Sequence, residues 1–311
     1  MLNGLNSVLT IFMMIGTGFI MAKRGFFNKE TGKLFSKLVL NISLPFMMIV
    51  SIPMRFSKEK LFSSLNGIIV AFLSILLTYI IAIAIAYILK IDRDKRGVFY
   101  AMFTFSNSIF IGLPINLSLF GEESATYVFL FYLANTSLFW TVGVYNIRKY
   151  SSDITMELSK INFLKKIFSP PFIGFIVGLA LVFLEIKLPP FIVDSLKYIG
   201  NLTTPLSMFF IGIVIYSINF RDIRLDIPTY FVLIGKFLVA PLIMFVCLKL
   251  FELPQLLNNV FVLEATMPIM TQVALVSEFY GANSEDVSFM VGFTTVLSIL
   301  IIPIYSIILL K

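Results

Sequence analysis

Long apolar segments recur along the whole sequence, and they restrict the chain to one fold class. Each reaches the roughly 17–25 residues that a helix needs to cross the hydrocarbon core of a membrane. Hydrophobic residues make up 59% of the 311 residues and charged residues only 13%, whereas about a quarter of a soluble domain is charged. We therefore predict an all-α polytopic membrane protein with ten transmembrane helices, at about 5–22, 33–52, 65–90, 97–120, 124–146, 168–186, 191–218, 228–251, 256–280 and 286–310.

Lysine and arginine are unevenly distributed between the loops that connect these segments. Fourteen lie in the odd-numbered loops and five in the even-numbered loops. Positive residues accumulate in the cytoplasmic loops of membrane proteins. We therefore predict that the odd-numbered loops are cytoplasmic, and that both termini lie outside because the number of helices is even.

The remaining composition limits the chemistry that this chain can perform. It has no histidine and a single cysteine, Cys247, which excludes an intrachain disulfide, a histidine general base and a metal site built from His or Cys. It also lacks the motifs of serine hydrolases, zinc proteases, P-loop proteins and Rossmann folds. The net charge of +7 forms no basic patch on a soluble domain. We expect no enzyme, no cofactor, no metal and no nucleic-acid partner, so any uphill transport depends on an ion gradient.

The fourth apolar segment contains residues that break helices. Gly112 and Pro114 disrupt the backbone hydrogen bonds, and Pro114 has no N–H group to donate. Ser106 and Asn107 add polar side chains at membrane depth. Broken backbone at this depth is tolerated only where protein or water covers it, and such a helix is typical of a transport site. The alternative is a simple kink, since Pro and Gly are common in membrane helices.

The ninth segment carries a second break, centred on Pro268. The two breaks correspond in position when the chain is divided at its longest loop, residues 147–167, which we predict to be cytoplasmic. Each half then has five helices, and an odd number reverses the orientation of the second half. We therefore predict two inverted five-helix repeats, residues 1–146 and 168–311, with broken crossover helices four and nine.

Two charged residues lie inside predicted spans. Glu264 belongs to the ninth, and because a buried acid costs a few kcal/mol in a membrane, it is our candidate for coupling to H⁺ or Na⁺. The alternative is a neutral Glu264 that is hydrogen-bonded to another helix. Lys236, in the eighth span, could pair with Glu264, attract an anionic substrate or extend to the cytoplasmic surface. We expect the last, because Lys236 lies about two turns from that end.

Residues 107–114 read Asn-Ser-Ile-Phe-Ile-Gly-Leu-Pro. This run resembles the Asn-x-Gly-Phe-x-Gly-x-Pro signature of the auxin efflux carrier family of permeases, with Ser108-Ile109 in place of the usual small residue and Gly. Segments 41–45, 265–268 and 294–303 also look like family positions, so the resemblance covers nearly the whole chain. It implies that helices four and nine cross at their breaks. It also implies a scaffold of helices one, two, six and seven, a transport domain of the others, an elevator-like movement and dimers through the scaffold.

The resemblance also suggests a class of substrate. Plant members of the family export auxin, an aromatic carboxylate, whereas bacterial relatives include malate and malonate permeases. The short central loop here resembles the bacterial form. We therefore predict a secondary active transporter of a small organic anion, such as malate, malonate or another carboxylate, that works by alternating access in a bacterial cytoplasmic membrane. A passive channel and a ligand-binding membrane sensor are the alternatives.

The candidate site residues come from the two breaks and from the helices that follow them. Polar side chains and helix-breaking residues there could bind a substrate between half-helix ends, which offer N–H groups to an anion and carbonyl groups to a cation. Glu264 is the ion-coupling candidate. The residues predicted to shape the substrate-binding crossover are Asn107, Gly112, Pro114, Asn135, Thr266, Pro268, Gln272 and Thr295.

Overall fold

The structure, a computed structural model, describes residues 2–55, 65–151, 170–217, 226–282 and 284–309. Within these ranges the chain is helical and contains no β-strand, only one isolated β-bridge. The all-α prediction is therefore confirmed. Most of the predicted connecting loop, from residue 152 to residue 167, lies outside the described residues.

We number the α-helices of these ranges in chain order. Their starts follow from local sequence: Asn28 caps α2 by accepting a hydrogen bond from the Thr31 N–H group, 2.9 Å, and Asp226 caps α12 in the same way. The helices are α1 (Leu2–Lys23), α2 (Lys29–Leu38), α3 (Leu44–Arg55), α4 (Leu65–Ile88), α5 (Arg96–Thr104), α6 (Leu113–Phe120), α7 (Ser124–Leu138), α8 (Val144–Tyr150), α9 (Pro170–Phe183), α10 (Pro190–Gly200), α11 (Thr203–Ser217), α12 (Ile227–Ile234), α13 (Ala240–Leu248), α14 (Gln255–Ala265), α15 (Thr271–Phe279) and α16 (Ser284–Leu309).

Several of these α-helices are joined by a π-helical turn into longer helical segments. Such turns widen the helix by one residue and are frequent at functional sites. Val39–Ser43 joins α2 to α3, Phe139–Gly143 joins α7 to α8, and Gly235–Val239 joins α12 to α13. A further π-helical turn, Ser108–Gly112, directly precedes α6.

Six helical segments of the described residues are long and apolar enough to cross a membrane. The chain is therefore a multi-pass membrane protein. The fourth and ninth predicted segments are divided into shorter helices, so neither reaches spanning length as one helix. The total of ten spans stays a prediction. The six segments are Lys29–Met54, Asn66–Ile88, Ser124–Tyr150, Pro190–Ser217, Ile227–Leu248 and Asp286–Leu309.

The chain divides into two compact units, and the first consists of residues 1–66, 109–129 and 165–217. In this unit α1 packs along α11, and α9 and α10 pack on α3. Gly174 lets α9 approach α3 closely, since a Cβ atom there would lie 2.6 Å from the Cα atom of Pro45. Backbone contact of this kind is the packing for which small residues are used in membranes.

The second unit consists of residues 67–108, 130–164 and 218–311. Helix α5 is its central element: every residue from Gly97 to Thr104 is buried, and α8, α12, α15 and α16 all contact it. A helix that is apolar on all sides fits only such an enclosed position. The mostly apolar sequence of α5 therefore explains why its end, where the first break begins, lies inside protein.

This division agrees only in part with the one that the family resemblance implies. Helices from the first, second, sixth and seventh predicted spans do belong to one unit, as expected for a scaffold. However, that unit also includes residues 109–129, which contain α6 and the start of α7. The fourth predicted span is therefore shared between the units, because its break separates two helices that pack independently.

Candidate functional site

The chain leaves helical geometry in both predicted segments. In the first, however, it does so at residues 105–107 and not at Gly112 and Pro114: Gly112 has helical backbone angles, and Pro114 lies in the first turn of α6, where its missing N–H group costs little. Helix α5 ends at Thr104, and Phe105 is extended, with φ −81° and ψ 133°. Helix α14 ends at Ala265 and α15 begins at Thr271, after Met270 in extended geometry. Pro268 lies between them and cannot donate a helical hydrogen bond. The prediction of two interrupted helices is therefore confirmed, and neither is a simple kink.

The two extended segments pair with each other as a short antiparallel bridge, centred on Ser106 and Ile269. The Asn107 N–H group donates to the Pro268 carbonyl oxygen, 2.9 Å, and the Met270 N–H group donates to the Phe105 carbonyl oxygen, 3.0 Å. Buried backbone groups must find such partners in a membrane. The breaks thus satisfy each other, and the two broken helices meet where they are interrupted.

Asn135, on α7, fixes the first break from the side. Its Nδ2 donates to the Ser106 carbonyl oxygen, 2.9 Å, and its Oδ1 accepts from the Ser106 N–H group, 3.2 Å. The Asn135 side chain is completely buried. A side-chain amide that both donates to and accepts from one residue acts as the next strand of a sheet would, so Asn135 completes the hydrogen bonding of Ser106.

Two threonines link the second break to its neighbours. Asn107 Nδ2 donates to Thr271 Oγ1, 3.0 Å, at the N-terminus of α15. Thr294 Oγ1, on α16, accepts from the Ile269 N–H group, 3.3 Å, and donates to a carbonyl oxygen of its own helix. The crossover is therefore held by side chains from α7 and α16 as well as by its own backbone.

Lys236 contradicts the prediction that it extends to the cytoplasmic surface. Its side chain is 0% exposed, and its Nζ donates to Ser106 Oγ, 2.6 Å, and to the Thr104 carbonyl oxygen, 3.0 Å. Thr104 is the last residue of α5, where the helix dipole favours a cation. Glu264, also 0% exposed, interacts electrostatically with the Lys236 ammonium group.

Local packing explains why Lys236 turns inward. It belongs to the π-helical turn Gly235–Val239. Gly235 lies against Phe103, so closely that a Cβ atom would overlap the aromatic ring. This contact brings the turn directly beside the end of α5, where the freed Thr104 carbonyl group is within reach of the ammonium group.

The structure brings together three of the predicted site residues, Asn107, Asn135 and Pro268. Thr266, directly after α14, and Thr295, on α16, instead donate to carbonyl oxygens of α14 and α16, 2.8 and 2.7 Å. Gln272 is half-buried in the first turn of α15, whereas Gly112 and Pro114 lie in the first unit, where Gly112 ends the π-helical turn and Pro114 is the second residue of α6.

The sequence prediction missed four residues of this site: Ser106 as a ligand of Lys236, Lys236 itself, Thr271 and Thr294. For Lys236 a signal was present, since a charged side chain inside an apolar span is by default a functional residue. For Thr271 and Thr294 the sequence offers only their nearness to the motifs. Which of two adjacent hydroxyl groups faces a break depends on how its helix packs.

A cavity of about 270 Å³ opens within the second unit, between the first turns of α5, α12 and α16 and the end of α4. Helices α5, α12 and α16 begin at this cavity and run toward the crossover. Met102, Val232 and Met290 line the cavity and are buried. Val232 precedes Lys236, and Met290 precedes Thr294, by four residues, about one helical turn. On α12 and α16 about one turn therefore separates the cavity lining from the residues of the crossover. Its charged lining residues are Lys90, Asp92, Lys95, Asp226 and Asp286.

Comparison with known proteins relates the whole chain to membrane transporters. The chain matches the family described as membrane transport protein over residues 4–306. It is 26% identical to an uncharacterized transporter of Methanocaldococcus jannaschii, an alignment that covers 98% of both chains. It is also 23% identical to an uncharacterized transporter of Methanothermobacter thermautotrophicus, with 97% of both chains covered.

Proposed function

We propose, because this chain belongs to the membrane transport protein family, that it is a secondary active transporter that moves a small organic anion across the cytoplasmic membrane by alternating access. Malate, malonate or another small carboxylate is the substrate class that we favour. The observation that carries the proposal is the meeting of two broken helices through the Ser106–Ile269 bridge. Broken helices with polar side chains at mid-membrane are where transporters of this kind bind substrate.

Two positive features at the crossover support an anionic substrate, in addition to the Glu264 carboxyl group that lies near Lys236. Lys236 supplies a buried positive charge beside the end of α5. The N-terminus of α15, next to the Asn107 amide, supplies the positive end of a helix dipole. The N-termini of half-helices point at anionic groups in other transporters with broken helices. A carboxylate is the common small group that suits both features.

One feature supports the proposed topology of ten helices in two inverted repeats with both termini outside, and a second supports the proposed elevator-like movement. First, residues of the third, seventh and ninth loops or their flanks, represented by Lys90, Asp226 and Asp286, line one cavity. This agrees with the alternation in which odd-numbered loops share the cytoplasmic side. Second, the chain forms two compact units, each assembled from both halves of the sequence. An elevator-like movement requires two separately packed bodies of this kind.

Counterflow in proteoliposomes tests the proposal. Vesicles are loaded with unlabelled malate or malonate, and uptake of the labelled compound is measured at increasing concentrations. A carrier exchanges label and saturates, a passive channel conducts without exchange, and a membrane sensor does neither. Empty vesicles are the control. If no dicarboxylate or aromatic acid is exchanged under H⁺ and Na⁺ gradients, the organic-anion proposal is wrong.

The compound to test first can be chosen by thermal unfolding. A ligand that binds only the folded protein raises its melting temperature with concentration. A screen of organic acids on the detergent-purified protein therefore ranks candidates before any transport assay. The same preparation, analysed by size, tests the homodimer that the family resemblance implies.

A further inference from the structure

We infer that the Lys236 ammonium group is a built-in cation that takes the place of a metal ion at the crossover, so that the site is complete without sodium. The meaning of this inference for transport rests on the proposed function. The structural part of the inference is that the Lys236 side chain fills a cation position. It is argued from the contacts of Lys236 alone and is tested separately from transport.

The ligands of the ammonium group are those that a bound cation would use. In transporters with broken helices, carbonyl groups at unwound backbone and at half-helix C-termini hold Na⁺ or a proton donor. Lys236 Nζ is bound to the carbonyl oxygen of Thr104, the last residue of α5, and to the hydroxyl group of Ser106 in the break. Both ligands are neutral oxygens, and Glu264 adds a nearby carboxyl group.

The side chain is held there by its surroundings. Lys236 is completely buried, and a buried charge that lost its hydrogen-bond partners would be strongly destabilising. The contact between Gly235 and the Phe103 ring fixes the π-helical turn that carries it. The ammonium group is therefore a permanent part of the crossover, and not a surface charge that reaches inward.

One consequence concerns the ion that drives transport. A tethered cation stays with the protein while a sodium ion would travel with the substrate. If Lys236 fills the cation position, sodium is not bound at the Thr104 and Ser106 oxygens, and coupling at this position is left to H⁺. The anionic substrate then meets a positive charge that is already present before it binds.

The experiment compares two variants that remove the charge in different ways. In Lys236→Ala the volume of the side chain is vacated, and a sodium ion can reach the Thr104 and Ser106 oxygens. In Lys236→Met an uncharged chain of similar length fills most of that volume. Thermal unfolding of each purified protein is measured in NaCl and in choline chloride at equal ionic strength, with the exposed Lys197→Ala as control.

For wild type, Lys197→Ala and Lys236→Met, we expect the melting temperature of each protein to be the same in NaCl and in choline chloride. In both salts Lys236→Met should melt at a lower temperature than wild type. We expect Lys236→Ala also to be destabilised in choline chloride, and its melting temperature to rise with the logarithm of the sodium concentration. A purely structural lysine would give two destabilised variants with no response to sodium.

Three results would overturn the inference. They are a wild-type protein that NaCl stabilises more than choline chloride does, a folded Lys236→Ala protein that does not respond to sodium, and a Lys236→Ala protein that cannot be purified in either salt. None of these results depends on transport. If the wild-type protein fails the counterflow assay but the melting temperature of Lys236→Ala rises with sodium, only the proposed function is refuted.

Discussion

Replacing Asn135 by alanine is expected to loosen the crossover. The Asn135 side chain makes two hydrogen bonds to the Ser106 backbone, 2.9 and 3.2 Å. After Asn135→Ala, the Ser106 carbonyl oxygen still accepts from the Ser108 N–H group, 2.9 Å. The Ser106 N–H group, in contrast, loses its acceptor in a completely buried position.

The magnitude follows from these contacts. A buried donor left without a partner costs about 1–3 kcal/mol, and the second lost hydrogen bond adds about 0.6 kcal/mol, the average measured inside membrane proteins. We therefore expect a loss of about 1.6–3.6 kcal/mol. Each kcal/mol lowers the melting temperature of a chain of a few hundred residues by about 2–4 °C, which predicts a decrease of about 3–14 °C.

The assay is thermal unfolding of the purified protein in detergent, with Asn41→Ala as the matched control. Asn41 also donates from Nδ2 to a backbone carbonyl oxygen, 2.8 Å, but it is exposed and bonds within its own helical segment. Its replacement should change stability by less than about 0.5 kcal/mol. If Asn135→Ala and Asn41→Ala melt together, the Ser106 N–H group does not depend on Asn135 and the reasoning is refuted.

Three further substitutions test the fold and the site. Thr294→Val should lower the free energy of unfolding by about 1–3 kcal/mol, because it leaves the buried Ile269 N–H group without an acceptor. The control, Thr295→Val, loses only a bond within α16 and should cost less than about 1 kcal/mol. Equal melting temperatures of the two variants would contradict this prediction. Gly174→Ala should lower the free energy of unfolding by about 1–3 kcal/mol, because the added methyl group overpacks α9 against the backbone of α3. The control, Gly16→Ala, should not destabilise the protein, since no atom lies within 4 Å of the added Cβ atom. Reversed effects in thermal unfolding would refute that packing. Glu264→Gln should abolish gradient-driven accumulation in proteoliposomes but preserve counterflow, and unchanged accumulation would show that Glu264 is not the coupling group.

The second break could be predicted from the sequence because its cause is local: Pro268 has no N–H group wherever it lies. The sequence predicted an interruption in the right segment for the first break but the wrong residues, since Gly112 and Pro114 are helical and the chain opens at residues 105–107. The pairing of the breaks does not follow from local sequence, since it needs the two extended segments to face each other. The family resemblance implied that meeting, and the hydrogen bonds between the segments confirm it.

The direction of Lys236 could not be predicted because its cause lies in tertiary packing. A lysine two turns from a helix end normally extends its ammonium group to the membrane surface. Here the π-helical turn and the contact of Gly235 with Phe103 place the residue beside the end of α5. Neither feature has a signature in the apolar sequence around Lys236. The same limit applies to Thr294 and Thr295, whose side chains lie about 100° apart around one helix.

The pairing of the breaks also changes how an anion can be held in the proposed transporter. The backbone N–H groups of Asn107 and Met270 are already bonded across the crossover, so bare backbone of both breaks does not form the binding site. What remains is the N-terminus of α15, where Gln272 lies half-buried, and the side chains around it. Substrate choice should therefore depend on the side chains of Asn107 and Gln272. Substitutions at Asn135 and Thr294 should act on the stability of the crossover instead, because their hydrogen bonds go to its backbone.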